Sequence, residues 1–135
     1  MAKETGLGIT TLSVDDSAGS VCAIVNDITS FDFSTPREEQ NVTGVDKSAY
    51  ERLLLLADFQ INLNFVFNDA ASMSFQVFKT VSSTSVARTT TLVVSGQTLA
   101  NEVLYTDAKY TRGDDGSLVG TAPGVLANGT VPTWS

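Results

Sequence analysis

The chain has 135 residues, and its 8 basic and 15 acidic residues give a formal net charge of −7. This length is enough for one domain with its own hydrophobic core, without help from disulfides or metal. The acidic balance argues against tight binding to nucleic acid, which needs clustered lysine and arginine. Histidine is absent, so the commonest general base and transition-metal ligand is missing.

The compartment is indicated by what the sequence lacks. The single Cys22 cannot form an intramolecular disulfide, which fits a reducing compartment, and it is most simply a small core residue. The first residues contain no apolar run typical of a signal peptide, and no segment approaches the roughly 18 apolar residues of a membrane span. We therefore expect a protein that is made and kept in a cytoplasm, without membrane insertion.

The first part of the chain predicts short strands. Residues 9–14 and 21–25 are rich in β-branched side chains, and the turn-rich segment between them predicts an N-terminal hairpin within residues 1–27. Residues 28–35 alternate between apolar and polar side chains, which predicts a third strand. Pro36 ends this strand, because proline cannot donate to a ladder and holds the preceding residue extended.

Residues 36–47 predict a long exposed loop, because Arg37, Glu38 and Glu39 make the segment too polar for a core. The two glutamates do not suggest paired catalytic carboxylates, since adjacent residues on an extended chain point in opposite directions. A mobile, solvated loop and an inter-subunit ion pair remain as alternatives.

A short helix is predicted over residues 48–56. Ser48 and Glu51 fit a capping box, and apolar side chains then recur at helical spacing. Leu54 and Leu55 fall off that face. The helix is therefore either buried on more than one side or in contact with a second subunit.

Residues 59–67 are the clearest strand signal in the chain. Gln60, Asn62 and Asn64 fall on one face, where neutral amides replace the charges expected of a solvated surface. The opposite face is apolar and is predicted to enter the core; it carries Phe59, Ile61, Leu63, Phe65 and Phe67.

The second half of the chain predicts further strands and one ambiguous segment. Residues 73–81 fit both helical and strand spacing, and a short helix is favoured. Strands are predicted over residues 86–94, 99–112 and 117–122, with turns at Ser95-Gly96 and at residues 113–116.

Residues 123–135 predict a C-terminal arm, because their prolines and glycines disfavour regular ladder pairing. Trp134 is the only tryptophan and lies one residue from the end. A terminal tryptophan is often disordered, but tryptophan is also favoured as a buried anchor at interfaces, and these two alternatives stay open at this point.

Motifs for chemistry are weak. Asp114, Asp115 and Gly116 lack the alternating oxygen ligands of a calcium loop and are better explained as a turn. A serine nucleophile would need a lysine or carboxylate base, and no Gly-x-Ser-x-Gly or Ser-x-x-Lys pattern occurs. We therefore expect no enzyme, no catalytic residue, no metal site and no cofactor.

The order and spacing of several segments resemble the tail tube, or major tail, proteins of long-tailed bacteriophages. The likeness covers about residues 28–134. The segments that carry it are Ser34-Thr35-Pro36-Arg37, residues 41–49, the four-leucine segment 51–59, the strand 59–67 with Asn68-Asp69, and residues 77–81, 84–89, 94–99 and 123–134.

This resemblance implies a mainly β fold, a sandwich-like β-barrel of the phage tail tube type with one flanking α-helix, a long loop and a C-terminal arm. It also implies hexameric rings that stack into a tube, the conduit for DNA ejection. The expected interface residues are Arg37, Glu38, Glu39, Leu54, Leu55 and Trp134. Gln60, Asn62 and Asn64 are candidates for the lumen.

The partners implied are further copies of the chain, tail tip or initiator and tail terminator proteins, a tape measure protein in the lumen, and double-stranded DNA in transit without specific binding. The expected location is the virion tail, after assembly in the host cytoplasm. A virion decoration protein or another β-sandwich binding module is the alternative that the same strand pattern allows.

Overall fold

The fold consists of ten strands and one short helix in a computed structural model that describes residues 3–135. In chain order they are β1 Thr11–Asp15, β2 Val21–Ala23, β3 Ile28–Ser34, β4 Arg37–Asn41, β5 Arg52–Ala57, β6 Gln60–Val66, α1 Ser74–Phe78, β7 Arg88–Val94, β8 Gln97–Tyr105, β9 Lys109–Arg112 and β10 Leu118–Leu126.

Every strand pair is antiparallel. The main sheet has the order β2-β1-β7-β8-β10-β6-β3, with β9 beside β10, and β4 and β5 form a separate two-stranded sheet. The main sheet starts at β2 and ends at β3, so within residues 3–135 it does not close into a barrel. The expected mainly β, sandwich-like fold is confirmed.

One core lies against the inner face of this curved sheet. Leu12 and Val14 on β1 join the same buried cluster as Leu63 and Phe65 on β6, although the two strands lie far apart in the strand order. The sheet therefore curls around its core. Val77 and Phe78 of α1 pack into the same cluster.

Two predictions about local structure are confirmed. The strand predicted over residues 59–67 is β6, where Ile61, Leu63 and Phe65 are buried and alternate with polar residues. Phe59, just before the strand, is buried as predicted, but the prediction that Phe67 enters the core is wrong, because Phe67 lies beyond the end of β6 and is 38% exposed. The short helix favoured for residues 73–81 is α1. No helix in the described part of the chain has the length and apolar character needed to cross a membrane.

The helix predicted over residues 48–56 is wrong, and so is a loop along the whole of residues 36–47. Instead, β4 pairs with β5 in a hairpin. The backbone of Glu51 closes this hairpin: its nitrogen donates to Thr43 Oγ1 at 2.8 Å, and its carbonyl accepts from the Val42 nitrogen at 2.9 Å. Long-range pairing overrides the helical preference of leucine here.

The prediction that the chain leaves the sheet at Pro123 is also wrong, because β10 continues to Leu126. On one side β10 pairs with β9 through Thr121 and with β8 from Gly124 onward. Pro123 lies where β10 changes partner. A missing N–H is tolerated at such a position, and the Pro123 carbonyl still accepts a hydrogen bond from Thr106.

Two glycines on β10 allow close packing over the core. A Cβ built on Gly120 would lie 2.5 Å from ring atoms of Phe65, and one built on Gly124 would lie 2.5 Å from Val103 Cγ1. Both contacts are far inside van der Waals distance. Any larger residue at these positions must displace buried side chains.

We predict that Gly120→Ala lowers the free energy of unfolding by about 1–3 kcal/mol, the cost of overpacking a core. Chemical denaturation of the purified chain measures this change. Gly6→Ala is the matched control, because a Cβ on Gly6 meets nothing within 4 Å. Equal stability of the two variants would contradict the packing argument.

Candidate assembly surfaces

The hairpin of β4 and β5 is uncovered on both faces. All of β4 is exposed, and in β5 the exposed fractions are 54% for Leu53, 63% for Leu54, 41% for Leu55 and 81% for Leu56. An isolated two-stranded hairpin is only marginally stable in water. Because strand side chains alternate, Leu53 and Leu55 lie on one face of the hairpin and Leu54 and Leu56 on the other. This group of exposed leucines is therefore a candidate interaction surface.

Polar contacts inside the hairpin hold its shape. The Arg37 guanidinium donates from Nε and Nη2 to the Leu55 carbonyl at 3.1 and 2.7 Å. Arg52 pairs with Glu39 at 3.5 Å and stacks over Tyr50 at 4.5 Å from the ring centroid. These pairs are solvent-exposed, so each contributes little to stability, but together they orient the leucines.

The structure therefore brings most of the predicted interface residues into one element. Arg37, Glu38 and Glu39 lie on β4, which pairs with the strand β5 that carries Leu54 and Leu55. In this register Glu39 lies opposite Leu54 and Arg37 lies opposite Ala57. Sequence reasoning placed the first three on a loop and the leucines on a helix, and so missed that they pair. Trp134 lies elsewhere, on the C-terminal arm.

A polar network covers the outer face of β3, β6 and β10. Asn62 Nδ2 donates to Asp32 Oδ1 at 3.0 Å, and Asn64 Nδ2 donates to Ser30 Oγ at 2.9 Å. On the other side, Thr121 Oγ1 donates to Asn64 Oδ1 at 3.0 Å. Two of the three amides predicted to face a lumen, Asn62 and Asn64, are thus held by hydrogen bonds to neighbouring strands.

This outer face carries little charge near its centre. Asp32 contributes one carboxylate, while Gln60 is exposed and has no hydrogen-bond partner among the described contacts. Lys109, whose backbone lies opposite Thr121 in the register, adds a cation at the margin on β9. The arrangement offers hydrogen-bonded neutral amides where a binding surface for phosphate would present clustered cations.

The arm, residues 127–135, folds back onto its own chain. The Ala127 nitrogen donates to the Glu102 carbonyl at 2.9 Å, and Ser135 and Thr98 exchange two backbone hydrogen bonds of 2.9 Å. Both ends of the arm are therefore fastened to β8. Between them lies a cavity of about 390 Å³, lined in part by Thr89, Ala100, Glu102, Asn128 and Thr130.

Trp134 packs on its own subunit, with its ring centroid 5.9 Å from that of Phe33, but 43% of its surface stays exposed. Phe33 in turn contacts Phe59 at 6.5 Å. Trp134 thus connects the end of the arm to the edge of the core and still has surface left for a second contact.

Two buried charged side chains, Arg88 and Asp27, hold neighbouring loops through hydrogen bonds. Arg88, 1% exposed, donates to Thr80 Oγ1 at 2.8 Å and to the Asp15 carbonyl at 3.4 Å. Burial lowers the pKa of Arg88, although the negative charges of Asp16 and Asp15 act in the other direction and raise it. Burial likewise raises the pKa of Tyr105, whose hydroxyl lies 2.7 Å from Thr90 Oγ1.

Asp27 is the second such pin. Its carboxylate accepts from Asn68 Nδ2 at 2.9 Å and from the Ser74 nitrogen at 3.0 Å, which ties the turn after β6 to the start of α1. The sequence carries no signal for Arg88 or Asp27, because a charged residue at the start of a strand, as Arg88 is, or just before one, as Asp27 is, is usually exposed.

We predict that Trp134→Ala lowers the free energy of unfolding of the free subunit by about 1 kcal/mol, the scale of one aromatic pair. It should also speed hydrogen exchange at the Thr98 amide, which donates to Ser135, because the arm loses its anchor. Val131→Ala, at another exposed arm position, is the control. Unchanged exchange at Thr98 would show that Trp134 does not hold the arm.

The structure is similar along nearly its whole length to chains of gene transfer agent particles. It matches "Tail of empty GTA particle computed with helical refinement, C6 symmetry" with a TM-score of 0.76 and 15% sequence identity, covering 98% of each chain. It matches "Virion of native gene transfer agent (GTA) particle" with a TM-score of 0.74 and 14% identity, covering 98% of this chain and 99% of the other.

At the level of the fold, these similarities confirm the resemblance to tail tube proteins seen in the sequence. No protein-family model matches the chain. No curated protein sequence matches it either.

Proposed function

We propose that this protein is a structural subunit of a phage-like tail tube, in which six-membered rings stack into a hollow conduit for DNA. The observation that carries the proposal is the uncovered leucine hairpin of a chain whose whole length matches a tail subunit. A folded subunit that still exposes these leucines is stabilised when further copies cover them.

Ring formation fits the two ends of the main sheet. A similar tail was refined with C6 symmetry, and a ring joins two different surfaces of neighbouring copies. In this chain β2 and β3 are the unlike end strands of an open sheet. Neighbours in a ring would cover these edges, which otherwise invite uncontrolled pairing.

The hairpin and the arm supply the remaining contacts in this proposal. The leucines of β5 would pack on an adjacent subunit, with Arg37 and Glu39 holding the hairpin in shape and Glu38 exposed at its rim. The exposed part of Trp134 would add a contact between subunits or rings.

The outer face of β3, β6 and β10 is our candidate for the lumen. Its centre presents Gln60, Asn62 and Asn64, and the net charge of −7 per subunit would repel a passing duplex. Double-stranded DNA would pass without specific binding, and a tape measure protein would occupy the same channel before ejection.

The role is non-enzymatic and needs no cofactor. Tail tip or initiator proteins would start the tube and a terminator would end it. The site of assembly would be the host cytoplasm, and the final location the virion tail. The alternative function is that of a decoration protein. A decoration protein would not stack into tubes, so the presence or absence of tubes distinguishes the two functions.

Electron microscopy of the purified protein over a range of concentrations tests the proposal. We expect rings or hollow tubes, because the leucine hairpin and the open sheet edges lack partners within one chain. A strictly monomeric protein up to its solubility limit, measured by sedimentation, would overturn the tube function and favour the alternative.

We predict that Leu54→Asp and Leu56→Asp abolish tube formation while leaving the free subunit folded. Both side chains lie outside the core, so the free energy of unfolding should change by less than about 0.5 kcal/mol, as for surface substitutions. In an assembled interface, each carboxylate would be buried without a partner, at a cost of several kcal/mol.

Leu54→Ile is the matched control, because it keeps the apolar area and favours a strand. Sedimentation measures assembly and chemical denaturation measures stability. Tubes of normal yield from both aspartate variants would show that the hairpin is exposed in the assembly as well.

We predict that Gln60→Lys tubes retain duplex DNA at low salt and release it as salt rises, while wild-type tubes retain none. Gln60 is exposed and unpaired in the described contacts, so the new cation would project from this face. Co-sedimentation of labelled DNA with tubes provides the measurement. Ser48→Lys, on the hairpin turn, controls for added charge, and equal retention by the two variants would place the lumen elsewhere.

A further inference from the structure

We propose that Asn128 is a site of spontaneous covalent modification, at which the side-chain amide converts to a carboxylate through a cyclic imide formed with the backbone nitrogen of Gly129. The inference concerns the free subunit and does not depend on the tube function. It rests on the sequence at this position, on the location of Asn128 and Gly129 outside the strands, and on the local hydrogen bonds.

Asn128 is the only asparagine in the chain that is followed by glycine. Ring closure brings the next backbone nitrogen onto the side-chain carbonyl carbon, and a side chain on that next residue hinders the approach. The other asparagines precede Asp, Val, Leu, Phe or Glu; they are Asn26, Asn41, Asn62, Asn64, Asn68 and Asn101.

The backbone at this position is not part of a strand ladder. Asn128 and Gly129 lie between the two points at which the arm is fastened to β8, and they belong to no strand. Gly129 has φ +72°, and a Cβ built on it would meet nothing within 4 Å. Its N–H has no acceptor among the described contacts, so no hydrogen bond holds the attacking nitrogen away.

The leaving amide is poised as well. Asn128 Oδ1 accepts a hydrogen bond from the Thr130 nitrogen at 3.1 Å, which draws electron density from the carbonyl carbon. No described contact holds Asn128 Nδ2, so the nitrogen that must leave is unrestrained. Both features favour attack at the side-chain carbon. The reaction is also intramolecular, because the attacking nitrogen belongs to the next residue, and this raises its rate.

The atoms balance with water as the only co-reactant. The Gly129 nitrogen loses its proton to solvent and bonds to Asn128 Cγ, the bond from Cγ to Nδ2 breaks, and ammonia leaves. Water then opens the imide. Cleavage of the new bond gives aspartate, whereas cleavage of the original peptide bond gives isoaspartate, and neither step is a redox reaction.

The product changes the fastening of the arm. Asn128 and Glu102 line the same cavity of about 390 Å³, so the new carboxylate lies in a space that already holds one. The two like charges repel each other. Isoaspartate also lengthens the backbone between Ala127 and Gly129. Both effects weaken the hydrogen bond from Ala127 to the Glu102 carbonyl.

The test is peptide mapping by mass spectrometry after incubation of the full-length protein at mildly alkaline pH and physiological temperature. A synthetic peptide of residues 126–131, incubated in parallel, gives the rate for an unfolded chain. We expect conversion at Asn128 within about tenfold of the peptide rate, because an unladdered arm opens at little cost. Asn128 left intact when the peptide has fully converted would overturn the proposal.

A set of variants tests the consequence for the arm. Asn128→Asp should speed hydrogen exchange at the Ala127 amide severalfold, while Asn128→Gln, which stays neutral, should not. Adding Glu102→Gln to Asn128→Asp should restore slow exchange if charge repulsion is the cause. Exchange in Asn128→Asp equal to that of the unmodified protein would show that modification leaves the arm fastened.

Discussion

The antiparallel pairing of β3 with β6 is the constraint on which the rest of this structure depends. Its register sets Phe31 opposite Leu63 and Phe33 opposite Ile61, and so turns both apolar rows toward one core. Because strand side chains alternate, a slip of one residue would expose those rows and bury the amides between them. The network from Asn62 to Asp32 exists only in this register.

The same two segments continue beyond the sandwich as β4 and β5. Pro36 and Asp58 mark the passage, where the Asp58 nitrogen donates to the Pro36 carbonyl at 2.9 Å. The part of this long hairpin formed by β3 and β6 packs on the core, whereas the part formed by β4 and β5 has no core beneath it. One pairing therefore produces both the packed part of the domain and the exposed leucine hairpin.

The sequence predicted what depends on local alternation. The strand β6, its buried face and its row of amides follow from period-two spacing, and α1 follows from Phe75, Phe78 and Val81. It could not predict which strand meets which. The partners of Asn62 and Asn64 lie about thirty residues upstream on β3, and that register is a property of the whole sheet.

The two main errors in the predicted secondary structure share this origin. Four leucines after Ser48 and Glu51 satisfy local rules for a helix, yet β4 offers them a ladder. Pro123 and Gly124 satisfy local rules for a break, yet a change of partner from β9 to β8 accommodates the proline, and close packing on Val103 requires the glycine. In both places non-local pairing outweighs preferences of about 1 kcal/mol per residue.

In the proposed tube subunit, the hairpin combines exposed leucines with a geometry that polar contacts hold. Exposed leucines favour association, but association is specific only if their geometry is already set. The bonds from Arg37 to the Leu55 carbonyl and the pair of Arg52 with Glu39 fix that geometry in the free chain. Less ordering entropy then remains to be lost on contact, so affinity rises without additional apolar area. The charges along β4 serve a second purpose, since glutamate and arginine on a strand disfavour random edge-to-edge pairing.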